Sequence, residues 1–298
     1  MTIEPTSTFD LDQIEQQLAL QADQFSSRTG AGNRPATQIF IIADFEYAYD
    51  RDRHRGYLAA DGVEDEAFKS PREKDKRMKL RWPFHHVVAA SLTILRFKSG
   101  AEAPDIDTPV VMTANDYTEL EMIKAIFTAL TSEPGAVLVT WGGEYKDLAV
   151  LRRSAGDYGL LLPVQLRHLK PHATSRIDLC NEVSVRADSV HLPEYAHACS
   201  IPAKPSPSKA IGKLVEKELW GAVAEQVMAD VLTTAAILLR HLAMHGKTTS
   251  KPEASLALLA QAALKASPAS RFLLGTFAPW VRGRVAGASL RGVVYRAA

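Results

Sequence analysis

The sequence predicts an α/β fold, a mixed β-sheet with helices packed on both faces, and three observations predict it. The apolar runs Ile39-Phe40-Ile41-Ile42-Ala43 and Gly135-Ala136-Val137-Leu138-Val139-Thr140 have the length and β-branched content of buried strands. Amphipathic segments of helix length follow and separate such runs, the interleaving that layers helices over a sheet. The stretch from Ala222 to His245 contains neither Gly nor Pro and reads as one long helix.

The elements follow in order. Leu11, Ile14, Leu18, Ala22 and Phe25 stand at helical spacing, so Phe9 to Phe25 reads as a short N-terminal helix ahead of the linker Ser26 to Pro35. Strands are expected at residues 37–44, 86–96 and 108–113. The first two are joined by a long charged insertion that includes Asp50 to Arg81, and connections of that length are unusual and often functional. Asn115 or Asp116 is expected to cap a helix running to Thr131, after which the strand ending at Thr140 returns beside the first. An amphipathic helix opens near Asp147, and a shorter strand at Gln165 to Leu169 is expected to complete the sheet. The turn-rich run Pro202 to Ser208 leads into the long helix. The domain reading is an N-terminal helix and linker at 1–35, one α/β domain at 36–247, and a basic, helical C-terminal extension at 248–298.

Composition narrows the class. A chain of 298 residues with 46% hydrophobic residues can bury a sizeable core. The net charge of +1 hides local asymmetry. Between Lys69 and Arg81 stand seven basic residues, among them Lys74, Lys76, Arg77 and Lys79, against Glu73 and Asp75, and after Glu253 there are basic residues and no acids. Such runs either neutralise phosphates or are solvated faces. Two cysteines, Cys180 and Cys199, argue against a disulfide-built domain and fit a reducing compartment. No apolar run reads as a signal peptide or a membrane span, so the chain is expected to be cytoplasmic with no membrane partner. Cys180, His191, His197 and Cys199 lack any zinc-site spacing, and Gly30 to Asn33 lacks the Gly-Lys-Ser/Thr of a phosphate loop.

The most informative motif is Asp44-Phe45-Glu46 at the end of the first apolar run. Side chains alternate along a strand, so the two carboxylates share a face, where they repel unless a cation or a shared proton relieves them. Two readings are open from these residues alone: an acidic strand end, or a ligand pair for a hard divalent cation. Asp147, at the start of a helix, and Asp230, inside the long one, supply further acids.

The order of these acids resembles the DEDD superfamily of 3′–5′ exonucleases, and in detail the predicted exonucleases related to the proofreading domain of family B DNA polymerases. The resemblance covers roughly residues 36 to 245. It is carried by the Asp44-x-Glu46 strand, Pro83-Phe84-His85-His86-Val87-Val88-Ala89, the block Thr140 to Leu148, Arg176-Ile177-Asp178-Leu179, Leu192 to Lys204, and Ala229-Asp230-Val231-Leu232-Thr233-Thr234.

The resemblance implies a ribonuclease H-like sheet and a site in which Asp44, Glu46, Asp147 and Asp230 hold two Mg²⁺ or Mn²⁺ ions, typically about 3.5–4 Å apart, to hydrolyse phosphodiesters from the 3′ end of single-stranded nucleic acid, DNA before RNA. Phe45 and Tyr145, with Trp141, could stack on or wedge against bases, although aromatic residues beside a strand end are more often core, and His85 is a further nucleic-acid-binding candidate near the sheet, with plain packing the favoured alternative. The basic insertion with Lys74, Lys76, Arg77 and Lys79 would then hold the backbone. The chain also departs from the pattern: Gly142 stands where Asn is usual, Lys146 where an aromatic residue is usual, and Glu225 and Gln226 where a His or Tyr usually orients the attacking water. Glu225 and Gln226 are therefore the candidate substitutes in that role. The rival reading is a nuclease-like module that binds nucleic acid or a protein without cleaving. Asp178 reads as a structural acid or a fifth ligand.

Overall fold

The computed structural model describes residues 37–62, 80–168, 173–185, 187–207 and 210–289. The expected helix at Phe9 to Phe25 and the basic residues Lys74, Lys76, Arg77 and Lys79 lie outside these described residues. From Ile39 onward the elements below belong to one compact unit, Ile39–Ala298.

The sheet is built from β1 (Thr37–Tyr49), β2 (His85–Lys98), β3 (Asp105–Ile106), β4 (Val110–Thr113), β5 (Val137–Thr140) and β6 (Arg176–Asp178), in the order β3-β2-β1-β5-β6 with β4 also on β2. It is mixed. β1, β5 and β6 run parallel, with Ile42 opposite Val139 and Thr140 opposite Asp178, while β2 pairs antiparallel with β3 and β4. Between the strands run helices α1 (Arg51–Ala60), a 3₁₀ turn (Trp82–Phe84), α2 (Glu119–Ser132), α3 (Asp147–Asp157), α4 (Val164–Arg167), α5 (Leu179–Ser184), α6 (Leu192–Ala198) and α7 (Ile211–Glu216). Then follow α8 (Trp220–Met244), α9 (Pro252–Ala266), a π-helical turn (Leu273–Phe277) and α10 (Ala278–Ser289).

Strand alternation divides β1 between two cores. Ile41, Ala43, Phe45 and Tyr47 pack with Met122, Ile123 and Ile126 of α2 and with Leu148 and Leu151 of α3. Phe40 and Ile42 point the other way, onto α8 with its Leu232, Ala235 and Leu239. Helices therefore cover both faces. The face of Phe40 and Ile42 is also that of Asp44 and Glu46, so these acids look toward α8.

α8 has the length and apolar composition of a membrane span, yet 83% of its most apolar window is buried inside the protein. Its Leu and Val side chains cover the sheet, each contributing about 1.5–3 kcal/mol when fully buried, and it carries Asp230 among them. The segment expected as an extension from 248 packs onto the same helix: Leu256 and Leu259 of α9, Phe272, Leu273, Phe277 and Val281 join the α8 core.

Three expected elements differ. β1 runs past Ala43 to Tyr49, so Asp44 and Glu46 lie inside a strand instead of at its end. The α2 cap is Thr118, not Asn115 or Asp116: its hydroxyl accepts from the Glu121 backbone N–H while the Glu121 carboxylate accepts from the Thr118 N–H, a reciprocal capping box. Residues 164–167 form α4 instead of a strand, and Gln165 anchors it by donating to the carbonyls of Leu130, Glu133 and Ala136. The edge strand is Arg176–Asp178, whose charged ends disguised it: Arg176 is buried against Glu144.

Candidate active site

The site forms where β5 stops and β1 does not. Ile42 pairs with Val139, so Asp44 lies just beyond the end of β5, at the carboxyl end of the parallel strands. Asp44 and Glu46 look toward α8, which presents Asp230. One ligand oxygen from each of these three residues lies within 4.8 Å of the others. Asp147, first residue of α3, enters from the other face and accepts a hydrogen bond from the Tyr47 hydroxyl at 2.8 Å. All four acids line one cavity of about 990 Å³, together with His85, Tyr145, Lys146 and Lys204.

The loop that delivers Asp147 is shaped by glycine. Gly142 has φ +70°, a left-handed conformation that Gly and, next to it, Asn adopt most readily, so Gly is an equivalent solution where the family usually has Asn. A Cβ on Gly143 would lie 2.4 Å from the Thr140 hydroxyl oxygen, which excludes any larger residue. Asp178 then pins the turn, accepting from the N–H groups of Gly142 at 2.8 Å and Glu144 at 3.0 Å while capping α5 through Cys180 N–H. Its oxygens are occupied by the backbone, which makes it the structural acid.

Burial and mutual repulsion dominate the electrostatics. Burial pushes the Asp44 carboxyl well above the usual range, and the charges of Asp230, Glu46 and Asp147 push it further. Burial raises Glu46 to about 7, Lys204 opposing. Burial also raises Asp147, to about 6, against the pull of Lys146 and the Tyr47 hydrogen bond. Lys204 is the built-in counter-charge: its ammonium donates to Asp230 at 2.5 Å and stands 3.7 Å from Glu46. Burial disfavours the Lys204 charge, but Asp230, Glu46 and Asp44 outweigh it and hold the ammonium protonated.

A stability signature follows from these carboxyls. Groups whose folded pKa exceeds the ordinary value of 3.8 or 4.5 favour the folded chain only while protonated. That contribution is complete near pH 4 and is lost as pH rises through about 6 for Asp147 and about 7 for Glu46, costing on the order of 3 kcal/mol for Glu46 alone. Mn²⁺ relieves the ionised state, so the rise in melting temperature on adding it should be larger at pH 8 than at pH 5. Melts at both pH values, with EDTA and with Mn²⁺, check this; an equal or smaller rise at pH 8 contradicts it.

The expected site residues separate into groups. Tyr145 is exposed on the cavity, its hydroxyl donating to Asn181 at 2.9 Å. His85 lines it too, with its ring edge against Tyr47 and Tyr49 and Nδ1 3.1 Å from the Arg81 carbonyl. Lys146, where the family usually has an aromatic residue, instead lies 4.1 Å above the Tyr47 ring as a cation–π partner.

Three expected roles are corrected. Phe45 borders the cavity between Asp44 and Glu46, but it alternates to the opposite face and is buried in the α2–α3 core, which makes it packing and not a base platform. Glu225 accepts from the Ser270 hydroxyl at 2.7 Å and the Phe272 N–H at 3.2 Å, which ties it to the segment before the π turn and away from the acids. Gln226 is fully buried and clasps Ser206 through both ends of its amide, holding the loop that carries Lys204. Neither residue lines the cavity. Sequence reasoning missed the roles of Tyr47 and Lys204. Nothing in the spacing flags Tyr47, whereas Lys204 ends a block that carried the resemblance.

The mixed α/β sheet thus carries four carboxylates around one cavity, two from β1 and one each from α3 and α8. Residues 78–279 match a family described as a predicted 3′–5′ exonuclease related to the exonuclease domain of PolB, and the chain belongs to that family. β1, with Asp44 and Glu46, precedes the matched residues. No match to a curated protein is found. Among solved structures, the family B DNA polymerase of the hyperthermophilic archaeon Pyrobaculum calidifontis is similar at 13% identity over 86% of this chain and 29% of that one, TM-score 0.45. An exonuclease I structure is similar at 15% identity over 70% of this chain and 41% of that one, TM-score 0.40. E. coli exonuclease I in complex with a dT13 oligonucleotide gives 13%, 70%, 42% and 0.39. The chain spans less than half the length of each of these proteins.

Proposed function

We propose that the chain is a 3′–5′ exonuclease that hydrolyses single-stranded nucleic acid, DNA in preference to RNA, with two Mg²⁺ or Mn²⁺ ions. The observation that carries this reading is the convergence of Asp44, Glu46 and Asp230 within 4.8 Å, with Asp147 on the same cavity. The donors suit a hard cation: all are carboxylate oxygens, and buried Glu46 Oε1 and Asp230 Oδ1 have no hydrogen-bond partner. Asp44, Glu46, Asp147 and Asp230 would hold the ions. When bound, such ions supply a nucleophilic water at neutral pH and stabilise charge on the leaving oxygen. The chain's own part is to keep the four carboxylates apart in space yet aimed at one point. Tyr47 fixes Asp147, Lys204 opposes the upward push of burial on Asp230 and Glu46, and Tyr145 offers an exposed ring to a base.

One observation favours the rival reading of a module that binds without cleaving. Lys204 already neutralises part of the cluster, and neither Glu225 nor Gln226 reaches the cavity to orient water. The two readings part on one experiment. A 5′-labelled single strand incubated with the purified chain should shorten from its 3′ end with Mg²⁺ or Mn²⁺ and stay intact in EDTA. Binding without shortening in either metal establishes the module instead.

The cavity is acidic, so affinity for a polyanion must come from its rim. Arg51 of α1 and Lys213 of α7 line it, and Leu80, which follows the basic insertion, does so as well. Each phosphate contact on a single strand contributes about 0.7 to the slope of log affinity against log salt. Replacing Lys74, Lys76, Arg77 and Lys79 together by Ser should weaken binding to all sequences and flatten that slope. Titrations at several salt concentrations measure it; unchanged affinity and slope would assign the backbone contacts to Arg51 and Lys213 instead.

A further inference from the structure

The far end of α8 carries an imidazole pair that the acid cluster does not use. His241 and His245 are four residues apart and so share a helix face, with ring centroids 4.4 Å apart and planes at 45°. His241 is 2% exposed, and neither its Nδ1 nor its Nε2 has a hydrogen-bond partner among the described residues. A neutral imidazole carries one donor and one acceptor, and each left unpaired in the interior is destabilising. Burial, then the charges of His245 and Lys247, push the His241 pKa down, so this ring is neutral and keeps a lone pair available. The exposed His245 covers it and closes the helix as its C-cap. The last carbonyls of a helix carry partial negative charge, and the Glu182 carboxylate of α5 acts on His241 in the same sense, a smaller influence than burial, His245 and Lys247.

We propose that His241 and His245 form a two-imidazole site for a first-row transition cation of the Zn²⁺ class. Imidazole nitrogen selects Zn²⁺, Cu²⁺ or Ni²⁺ over Mg²⁺, the reverse of the preference of the acid cluster. The sites are separate: Asp230 and His241 are eleven positions apart on one helix, about 16 Å along its axis. Among the described residues no further His, Cys, Asp or Glu is grouped with the pair, so water completes the coordination. Entry requires the exposed His245 ring to swing outward, after which the ion takes one nitrogen from each ring and gives buried His241 the partner it lacks. This site stands independently of the exonuclease reading.

The test is electron paramagnetic resonance of the full-length chain with one equivalent of Cu²⁺, whose spectrum reports directly bound nitrogen. The expected result is superhyperfine splitting from two imidazoles, present equally in Asp44→Ala, where the acid site is disabled, and reduced to one nitrogen or none in His245→Ala. His245 is on the surface, so its replacement keeps the fold. Absence of nitrogen splitting in the unmodified chain, or a two-nitrogen pattern that persists in His245→Ala, overturns the proposal.

Discussion

Asp44→Ala is expected to abolish metal-dependent shortening of a single strand while leaving the chain folded. Asp44 is the acid on which the other three act together: Asp230, Glu46 and Asp147 all raise its pKa, which makes it the centre of the cluster. Removing it leaves cations with neither the shared ligand nor the charge that holds them. Metal-ion stabilisation of a transition state is worth several kcal/mol, and each 1.4 kcal/mol is about tenfold, so the rate should fall on the order of 10³-fold or more. Because Asp44 is half-buried among like charges, the substitution also removes repulsion, and the metal-free variant should melt no lower than the unmodified chain. Glu225→Gln serves as the contrast. Its carboxylate is bound to Ser270 and Phe272 instead of facing the cavity, so its rate should stay near the original. Rates and melts on the same preparations decide: full turnover in Asp44→Ala points to a contaminating nuclease or a different site, and collapse in Glu225→Gln restores that residue to the chemistry.

Asp44, Glu46 and Asp230 stood out in the sequence because they sit in apolar settings that do not tolerate charge without a reason, whereas Asp147, preceded by Glu144, Tyr145 and Lys146, was reached only through the order of the blocks. Asp230 interrupts a run of Ala, Val and Leu, and Asp44 and Glu46 follow five apolar residues. What periodicity could not give was the direction in which they face. That follows from Ile42 and Phe40 packing on α8 while Ile41 and Phe45 pack on α2, a choice made by tertiary packing. The same choice buried Phe45, which has the composition of a base-stacking residue and the position of a core one. Glu225 and Gln226 were misplaced for a related reason. Helical offsets from Asp230 locate them along the axis, but their partners, Ser270 and Ser206, come from segments that are distant in sequence or were read only as a turn. β6 escaped notice because a three-residue strand with a charge at each end has no period to detect; its Arg176 is tolerable in the interior only through Glu144.

Lys204→Met should destabilise the metal-free chain by about 3–5 kcal/mol at pH 8, the usual cost of removing one partner from a buried ion pair. The side chains of Lys204, Glu46 and Asp230 are 8%, 12% and 4% exposed, so solvent screens the lost interaction little. Without the ammonium, Asp44, Glu46 and Asp230 face one another with no compensating charge among themselves. The penalty must depend on pH. Lys204 is what lowers Glu46 and Asp230 against the effect of burial, so in its absence both bind protons more tightly in the folded chain. The folded variant then holds more protons than the unfolded chain across a wider range, its stability falls more steeply from pH 5 to pH 8, and at pH 5 the two proteins should differ less. Mn²⁺ should recover much of the loss at pH 8, since a divalent cation among the same oxygens replaces the missing charge. Urea or thermal melts of both proteins at pH 5 and pH 8, with and without Mn²⁺, test each part. An unchanged midpoint at pH 8 in EDTA would mean that Lys204 lies in solvent and that the carboxylates relieve one another by sharing protons, in which case the cluster has no counter-charge of its own and depends on metal alone.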